Sequence, residues 1–401
     1  MPKPAVSTYV LLTDAPPLGE GGHGCSVLTK NWLDAFGSAV KLVVTRQMHS
    51  SVVPSNVVAG LSTPTLFYPD LTALRCPRQF RVIKSMLEII ILFFRIGKIT
   101  RAIHSSAGER LFAFFGGNPW FLYVAYLVAK KSGLPLDVYL VDDLEESVKL
   151  EKQGCVARMV RWLEPKVLTR AERVFVISPG YVEHLRAKYG VESKWLPIPF
   201  TSHALTYSKY STEAPDIRQI AYLGAVNTLY ISAIKDILAA VESWNAGNVP
   251  FKLKFVLMTY TNPGYVKRVL SGFSNWELLS QRPDKECEER MKLSWAIFLP
   301  YSFDKEEKVM VSTSFPSRLA RCMVVGRPLL VYGPSYASLP RYFRENSLDL
   351  CVENRSDLEA AFQRIEQVDS PALIEKYGAA LHRFHRQEAI RSCLAAETAC
   401  L

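Results

Sequence analysis

The chain of 401 residues has no apolar run long enough to cross a bilayer. Its longest, Met86 to Phe94, is broken by Glu88 and stops far short of the roughly 20 residues that a spanning helix needs. Eight cysteines, at 25, 76, 155, 287, 322, 351, 393 and 400, contain no C-x-x-C pair and no metal-ligand spacing. That argues against a zinc ribbon or a disulfide framework, and for reduced thiols in a cytoplasm with no bound metal. A secretory leader is not expected either: the first apolar stretch, Tyr9 to Leu12, is too short for one and runs into Asp14 and two prolines. The dinucleotide fingerprint G-x-G-x-x-G is missing, since GEGGHG at 19–24 lacks its second spacing. No acid closes the next strand at Thr45 to hold a ribose, so NAD is disfavoured. Helix-turn-helix, zinc-finger and aromatic RNA-binding patterns are absent too, which argues against nucleic acid as a partner.

What is present is a globular composition, 49% hydrophobic and 21% charged, with a net charge of +10. Residues 1–200 hold 24 Lys/Arg against 16 Asp/Glu, and the remainder 24 against 22, so the basic character belongs to the first half. Such a surface fits phosphorylated ligands or an anionic membrane. Short apolar strands alternate with helical patterns from Tyr9-Val-Leu-Leu-Thr13 onward, each pair closed by a turn signal. That order forces parallel sheets with right-handed crossovers. A polar, proline-bounded stretch from Pro199 to Pro215 reads as a linker before a second series beginning at Gln219. The expected fold class is α/β, with two Rossmann-like doubly wound domains facing a cleft. The expected boundaries are 1–198 for the first domain, 199–370 for the second, and 371–401 for a terminal helix crossing back to the first.

Several groups of residues carry chemistry in this frame. Gly21, Gly22 and His23 lie in the loop after the first strand, where backbone N–H groups can approach an anion; His23 reads equally as a ligand contact or a loop residue. Asp142 and Asp143, followed by Glu145 and Glu146, stand at the C-terminal end of a strand, where open α/β sheets keep their ligand crevice. Either aspartate can take the proton of an acceptor hydroxyl or simply cap the next helix. Gly224 and Asn227 form the matching loop of the second domain. Ser314-Phe-Pro-Ser-Arg-Leu319 leads into a helix read from Ser317 to Val325, stopped by Gly326. Arg318 on its first turn, with Ser317 as cap, suits a diphosphate.

Residues 217–234 (IRQIAYLGAVNTLYISAI) and 314–334 resemble the donor domain of GT-B glycosyltransferases, of the retaining type called family four. The resemblance implies GT-B architecture and a metal-independent, hexosyltransferase-like activity. The nucleoside diphosphate of the donor, UDP- or GDP-linked, would meet Gly21, Gly22, Gly224, Asn227, Ser317 and Arg318. Glu307 and Lys308 would lie near the donor sugar, although a solvated loop accounts for them equally well. The family often has Arg where this chain has Ala225, Lys where it has Arg318, Glu where it has Arg321, and His where it has Asp142. Asp142, Asp143 and His23 are the catalytic candidates, and Arg321 joins the donor set. The resemblance implies transfer of sugar onto a glycan or lipid-linked acceptor in surface polysaccharide or glycoconjugate synthesis. The substituted positions point alternatively to a non-catalytic nucleotide-sugar-binding or scaffold protein.

Residues Arg75 to Arg101 hold seven Lys/Arg around the apolar run. This segment reads either as a helix on the anionic inner face of a membrane or as a core helix with solvated basic ends. The expected location is cytoplasmic or peripheral on that face.

Overall fold

The structure is a computed structural model that describes residues 7–17, 24–46, 63–68, 81–115, 119–150, 153–200, 216–280, 282–348 and 350–395. The chain divides into two compact units, Met1–Thr201 with Gln387–Leu401, and Ser202–Arg386. Gly21, Gly22 and His23, the residues 75–80 and most of the expected linker lie outside the described residues.

The first unit is built on a sheet of seven parallel strands. They are β1 (Tyr9–Thr13), β2 (Val40–Arg46), β3 (Thr65–Tyr68), β4 (Arg110–Phe115), β5 (Leu136–Leu140), β6 (Arg173–Val176) and β7 (Lys194–Trp195), in the order β3-β2-β1-β4-β5-β6-β7. Every residue of β1 and β5 is buried, as a strand covered on both faces requires. Trp32, from helix Gly24–Phe36, fills the layer above, its ring 5.2 Å from Phe112 and 4.9 Å from Tyr139. One charge sits inside this apolar frame. Asp137 of β5 is wholly buried, and Arg110 of β4 (2.9 and 3.2 Å) and Arg173 of β6 (Nε at 2.9 Å) neutralise it from both neighbouring strands. Helix Gln387–Ala395 belongs to this unit, where Arg391 Nε donates to the Ala35 carbonyl at 2.6 Å.

The second unit repeats the plan with β8 (Ile217–Leu223), β9 (Lys252–Thr259), β10 (Trp276–Ser280), β11 (Ala296–Pro300), β12 (Leu329–Tyr332) and β13 (Cys351–Val352). Its six parallel strands run in the order β10-β9-β8-β11-β12-β13. Helix Thr228–Ala246 buries Leu229, Ala233, Ile237, Val241 and Trp244 at helical spacing, and Trp244 meets Phe362 edge-on at 5.6 Å. Both sheets have the Rossmann strand order, with the third, second and first strands on one side and the fourth onward on the other. The order reverses between β1 and β4 and again between β8 and β11. Just outside the C-terminal ends of those strands lies the crevice where such sheets take ligands.

Four segments differ from the sequence expectation. Strands β3 and β13 were not anticipated, being four and two residues long. The helix expected from Ser317 begins at Leu319, because the Leu319 N–H closes a turn onto the Pro316 carbonyl at 3.0 Å and leaves Ser317 exposed in that turn. The single terminal helix is instead a helix Ser370–Ala380, a π-helical turn Leu381–His385, and helix Gln387–Ala395. The break falls at Arg386, in extended conformation, where the chain passes from the second unit to the first.

Candidate functional site

In the second unit the crevice begins at Gly224, the residue after β8. Its φ of +158° is one that side chains rarely adopt. A Cβ there would lie 2.8 Å from Arg318 Cζ and 2.9 Å from the Tyr222 hydroxyl, so the bare glycine lets the guanidinium lie directly on the loop. Tyr222 holds both parts together. Its hydroxyl donates to the Ala225 carbonyl at 2.6 Å and accepts from Arg318. The Arg318 guanidinium lies over the rings of Tyr222 (4.9 Å) and Tyr230 (5.3 Å), and Tyr230 in turn stacks on Tyr301 at 6.0 Å. Among the described residues no carboxylate pairs with Arg318, and its Nε is buried without a hydrogen-bond partner. A cation held by aromatic rings and left without a counter-ion is poised for an anion.

The next elements complete the crevice. Asn227 stands at the N-cap of helix Thr228–Ala246 without a capping side-chain bond: its carbonyl accepts from the Tyr230 N–H at 3.1 Å, and its side chain leaves the positive dipole end of a long helix uncapped. Glu307, in a turn of 3-10 helix after β11, is buried against this helix start and bonded to Thr228 and Ser302. Burial pushes its carboxyl up, against those two hydrogen bonds, and its Oε2 has no partner. Lys308 is exposed, its ammonium 5.2 Å from the Tyr336 ring centroid. Arg321 follows one helical turn after Arg318 and is half-buried. Gly224, Asn227, Glu307 and Arg318 are thus gathered about one switch point. The collar of Tyr222, Tyr230 and Tyr301 had no sequence signal, because tyrosines in a strand and a helix read as ordinary core.

In the first unit the two adjacent aspartates after β5 differ sharply. Asp143 is fully buried: it accepts from the Glu146 N–H (2.9 Å) as cap of helix Leu144–Leu150, from Lys188 Nζ (2.8 Å), and faces His184 Nε2 at 2.8 Å. Burial alone would raise its pKa, but His184 and Lys188 take it well below the usual carboxylate range. Glu145, beside it, is held at about 2 by Arg161, Lys149 and Lys188 against the effect of burial. Glu164 is also buried here, bonded to the Tyr189 hydroxyl at 2.8 Å, and burial and the Asp143 charge push its carboxyl up. Asp142 has none of these side-chain partners. Its backbone carbonyl accepts from the Tyr181 hydroxyl at 2.9 Å, while burial, then the charge of Asp143, pushes its carboxyl up to about 6. It is half-buried and, among the described residues, is the carboxylate of the pair without an ion-pair partner, just past the C-terminal end of β5.

The match to solved glycosyltransferase structures covers both units of the chain. The chain matches the α,α-trehalose 6-phosphate synthase of Burkholderia multivorans with a TM-score of 0.62, covering 98% of this chain and 96% of that one at 10% identity. The fold is GT-B. A second GT-B neighbour is the Anabaena protein HepE in complex with UDP (TM-score 0.60, 12% identity, 97% and 98% covered). A third is the lipopolysaccharide outer-core galactosyltransferase WaaB (TM-score 0.57, 11% identity, 94% and 95% covered). No protein-family model and no curated protein sequence matches the chain. At these identities the GT-B likeness is one of fold. Its chemistry rests on the residues described above.

Proposed function

We propose that the protein is a glycosyltransferase that moves a hexosyl group from a nucleoside-diphosphate sugar onto an acceptor hydroxyl. The observation that carries this reading is Arg318: a cation with no carboxylate partner among the described residues, held on tyrosine rings against Gly224 at the switch point of the second Rossmann sheet. In the reaction the acceptor oxygen bonds to the anomeric carbon as the bond from that carbon to the phosphate oxygen breaks. The electron pair leaves on the diphosphate. Arg318 and the N-terminus of helix Thr228–Ala246 stabilise that growing charge, which lets the leaving group depart without a metal ion. Asn227 and Ser317 flank the diphosphate, and Glu307, with Lys308 beside it, reaches hydroxyls of the donor sugar. Asp142, with a carboxyl raised to about 6, is ionised for the most part at neutral pH yet basic enough to take the acceptor proton.

The HepE complex makes UDP the first nucleotide to try. The acceptor class that goes with this reading is a glycan or lipid-linked saccharide of surface polysaccharide or glycoconjugate assembly. Thermal shift against UDP, GDP, ADP, CDP and TDP tests it, with Arg318→Ala alongside. A ligand at a hundred times its dissociation constant stabilises the fold by about 2.7 kcal/mol. One nucleotide should shift the wild type and shift the variant clearly less. If none does, the donor site is misassigned. Ala225 and Arg321, which replace residues common in the family, favour a second reading as a binding protein without turnover. Release of free nucleoside diphosphate separates the two.

A further inference from the structure

The first unit carries an exposed apolar stripe that nothing in the reading above uses. Helix Arg81–His104 turns Leu92, Ile96, Ile99 and Ile103 inward, as an amphipathic helix should. Yet Ile83, Leu87, Ile90 and Phe94 recur at helical spacing on the outer side, with Phe93 next to them, and all five are 49–79% exposed. Single exposed apolar residues are ordinary, whereas five on one side of one helix mark an interaction surface.

The stripe is not alone. Right-handed crossovers place helices Arg81–His104, Pro119–Ser132 and Gly154–Leu168 on the same face of the sheet, and Pro119–Ser132 packs against both of the others. Gly154–Leu168 presents Met159 and Trp162 to solvent, Trp162 being 62% exposed with Lys166 Nζ 3.1 Å from its ring centroid. Around these apolar groups the exposed charges among the described side chains of the three helices have one sign, with Lys98 and Arg101 on the first, Lys130 and Lys131 on the second, and Arg158 and Lys166 on the third. Among the described side chains of the three helices none of the exposed ones is acidic: Glu164 points into the core, and the side chain of Glu88 lies outside the described ones.

We infer that this three-helix face docks on an anionic lipid bilayer, with the 83–94 stripe and Trp162 entering the headgroup boundary and the surrounding cations on lipid phosphates. Apolar residues ringed by Lys and Arg, with a tryptophan at the edge, fit that boundary. A second copy of the chain fits poorly, since a two-fold contact through this face would set its cations against one another. No helix among the described residues is long and apolar enough to cross the membrane, so the attachment is to its surface. The inference stands apart from the transferase reading and needs no nucleotide.

The test is co-sedimentation of the full chain with phosphatidylcholine vesicles, with and without phosphatidylglycerol. The wild type should bind only the anionic vesicles and be released by salt. Phe93→Ser with Phe94→Ser should lower partitioning by about tenfold or more. Lys130→Gln with Lys131→Gln should lower it by about fivefold for each charge removed. Quenching of tryptophan fluorescence by brominated lipid should weaken in Trp162→Phe. An unchanged melting temperature and unchanged nucleotide shift in each variant show that fold and donor site are intact. Equal binding to neutral vesicles, wild-type binding by the Phe93/Phe94 variant, or a dimer that this variant splits in the absence of lipid binding would each overturn the inference.

Discussion

Arg318 occupies the space that a side chain at position 224 would need. A Cβ on Gly224 would come within 2.8 Å of the guanidinium carbon, and the φ of +158° adds backbone strain to any replacement. Gly224→Ala should therefore lift Arg318 off the loop and free the Ala225 carbonyl from Tyr222. The expected result is loss of the nucleotide-induced thermal shift together with a drop in stability of about 1–3 kcal/mol. Calorimetric titration of the nucleotide that protects the wild type checks it. Wild-type affinity in Gly224→Ala would mean that the close approach of loop and arginine is packing alone.

Arg318 itself should trade stability for binding. Its cation is half-buried and has no carboxylate partner among the described residues, where its contacts with Tyr222 and Tyr230 compensate in the free protein. Arg318→Met keeps most of the volume and removes the charge. The melting temperature of the ligand-free variant should stay level or rise, as at other sites where function costs stability. Nucleotide affinity should fall roughly 10- to 100-fold, the worth of about 1.5–3 kcal/mol for charge-assisted hydrogen bonds. Arg318→Lys, which keeps charge but not planar stacking, should lie between. A large fall in stability in the methionine variant would make the arginine structural.

Much of this arrangement could be read before the structure, for a physical reason that also explains what could not. Strands such as β1 and β5 are covered on both faces and so are almost wholly apolar, a pattern visible in five residues. Strand β3, Thr65–Tyr68, is partly buried and four residues long, too little pattern to stand out. Gly224 was legible because a glycine closing a buried strand signals a loop needing backbone freedom. The tyrosines that hold Arg318 were not, because Tyr222 lies in β8 and Tyr230 in the following helix, and only the fold brings Arg318 to them. Asp142 and Asp143 were indistinguishable as neighbours in sequence. Side-chain direction separates them, sending Asp143 to Lys188 and His184 and leaving Asp142 without either.

The raised carboxyl of Asp142 predicts a pH dependence with a definite sign. Its pKa moves from 3.8 to about 6 on folding, so the native state holds that proton more tightly than the unfolded chain does. Native stability from this group is present at low pH and lost as pH rises from about 4 through about 6. Asp142→Asn, neutral throughout, should remove that slope, becoming more stable than the wild type above pH 6 in denaturant titrations. Turnover should move the opposite way. Rate in the wild type should rise through about pH 6 as the base ionises, and the asparagine variant should lose about 100-fold or more with that limb gone. If the limb survives in Asp142→Asn, another group is the base.

Asp137 offers a contrast that keeps these effects apart. Where Asp142 is half-buried, Asp137 is fully buried, and it sits within β5, with Arg110 and Arg173 committed to it from the strands on either side. Their other partners do not replace it with a buried charge: Arg110 also reaches the exposed Glu172 at 2.7 Å, and Arg173 the Leu394 carbonyl and, at 3.4 Å, the Tyr9 hydroxyl. Asp137→Asn should therefore leave two cations inadequately neutralised between strands and cost about 3–5 kcal/mol, read as a lower denaturant midpoint. Because the pair lies away from the crevice ends of the strands, the protein that remains folded should bind nucleotide with wild-type affinity. An Asp137 variant that keeps its stability but loses binding would show the ion cluster to be part of the donor machinery.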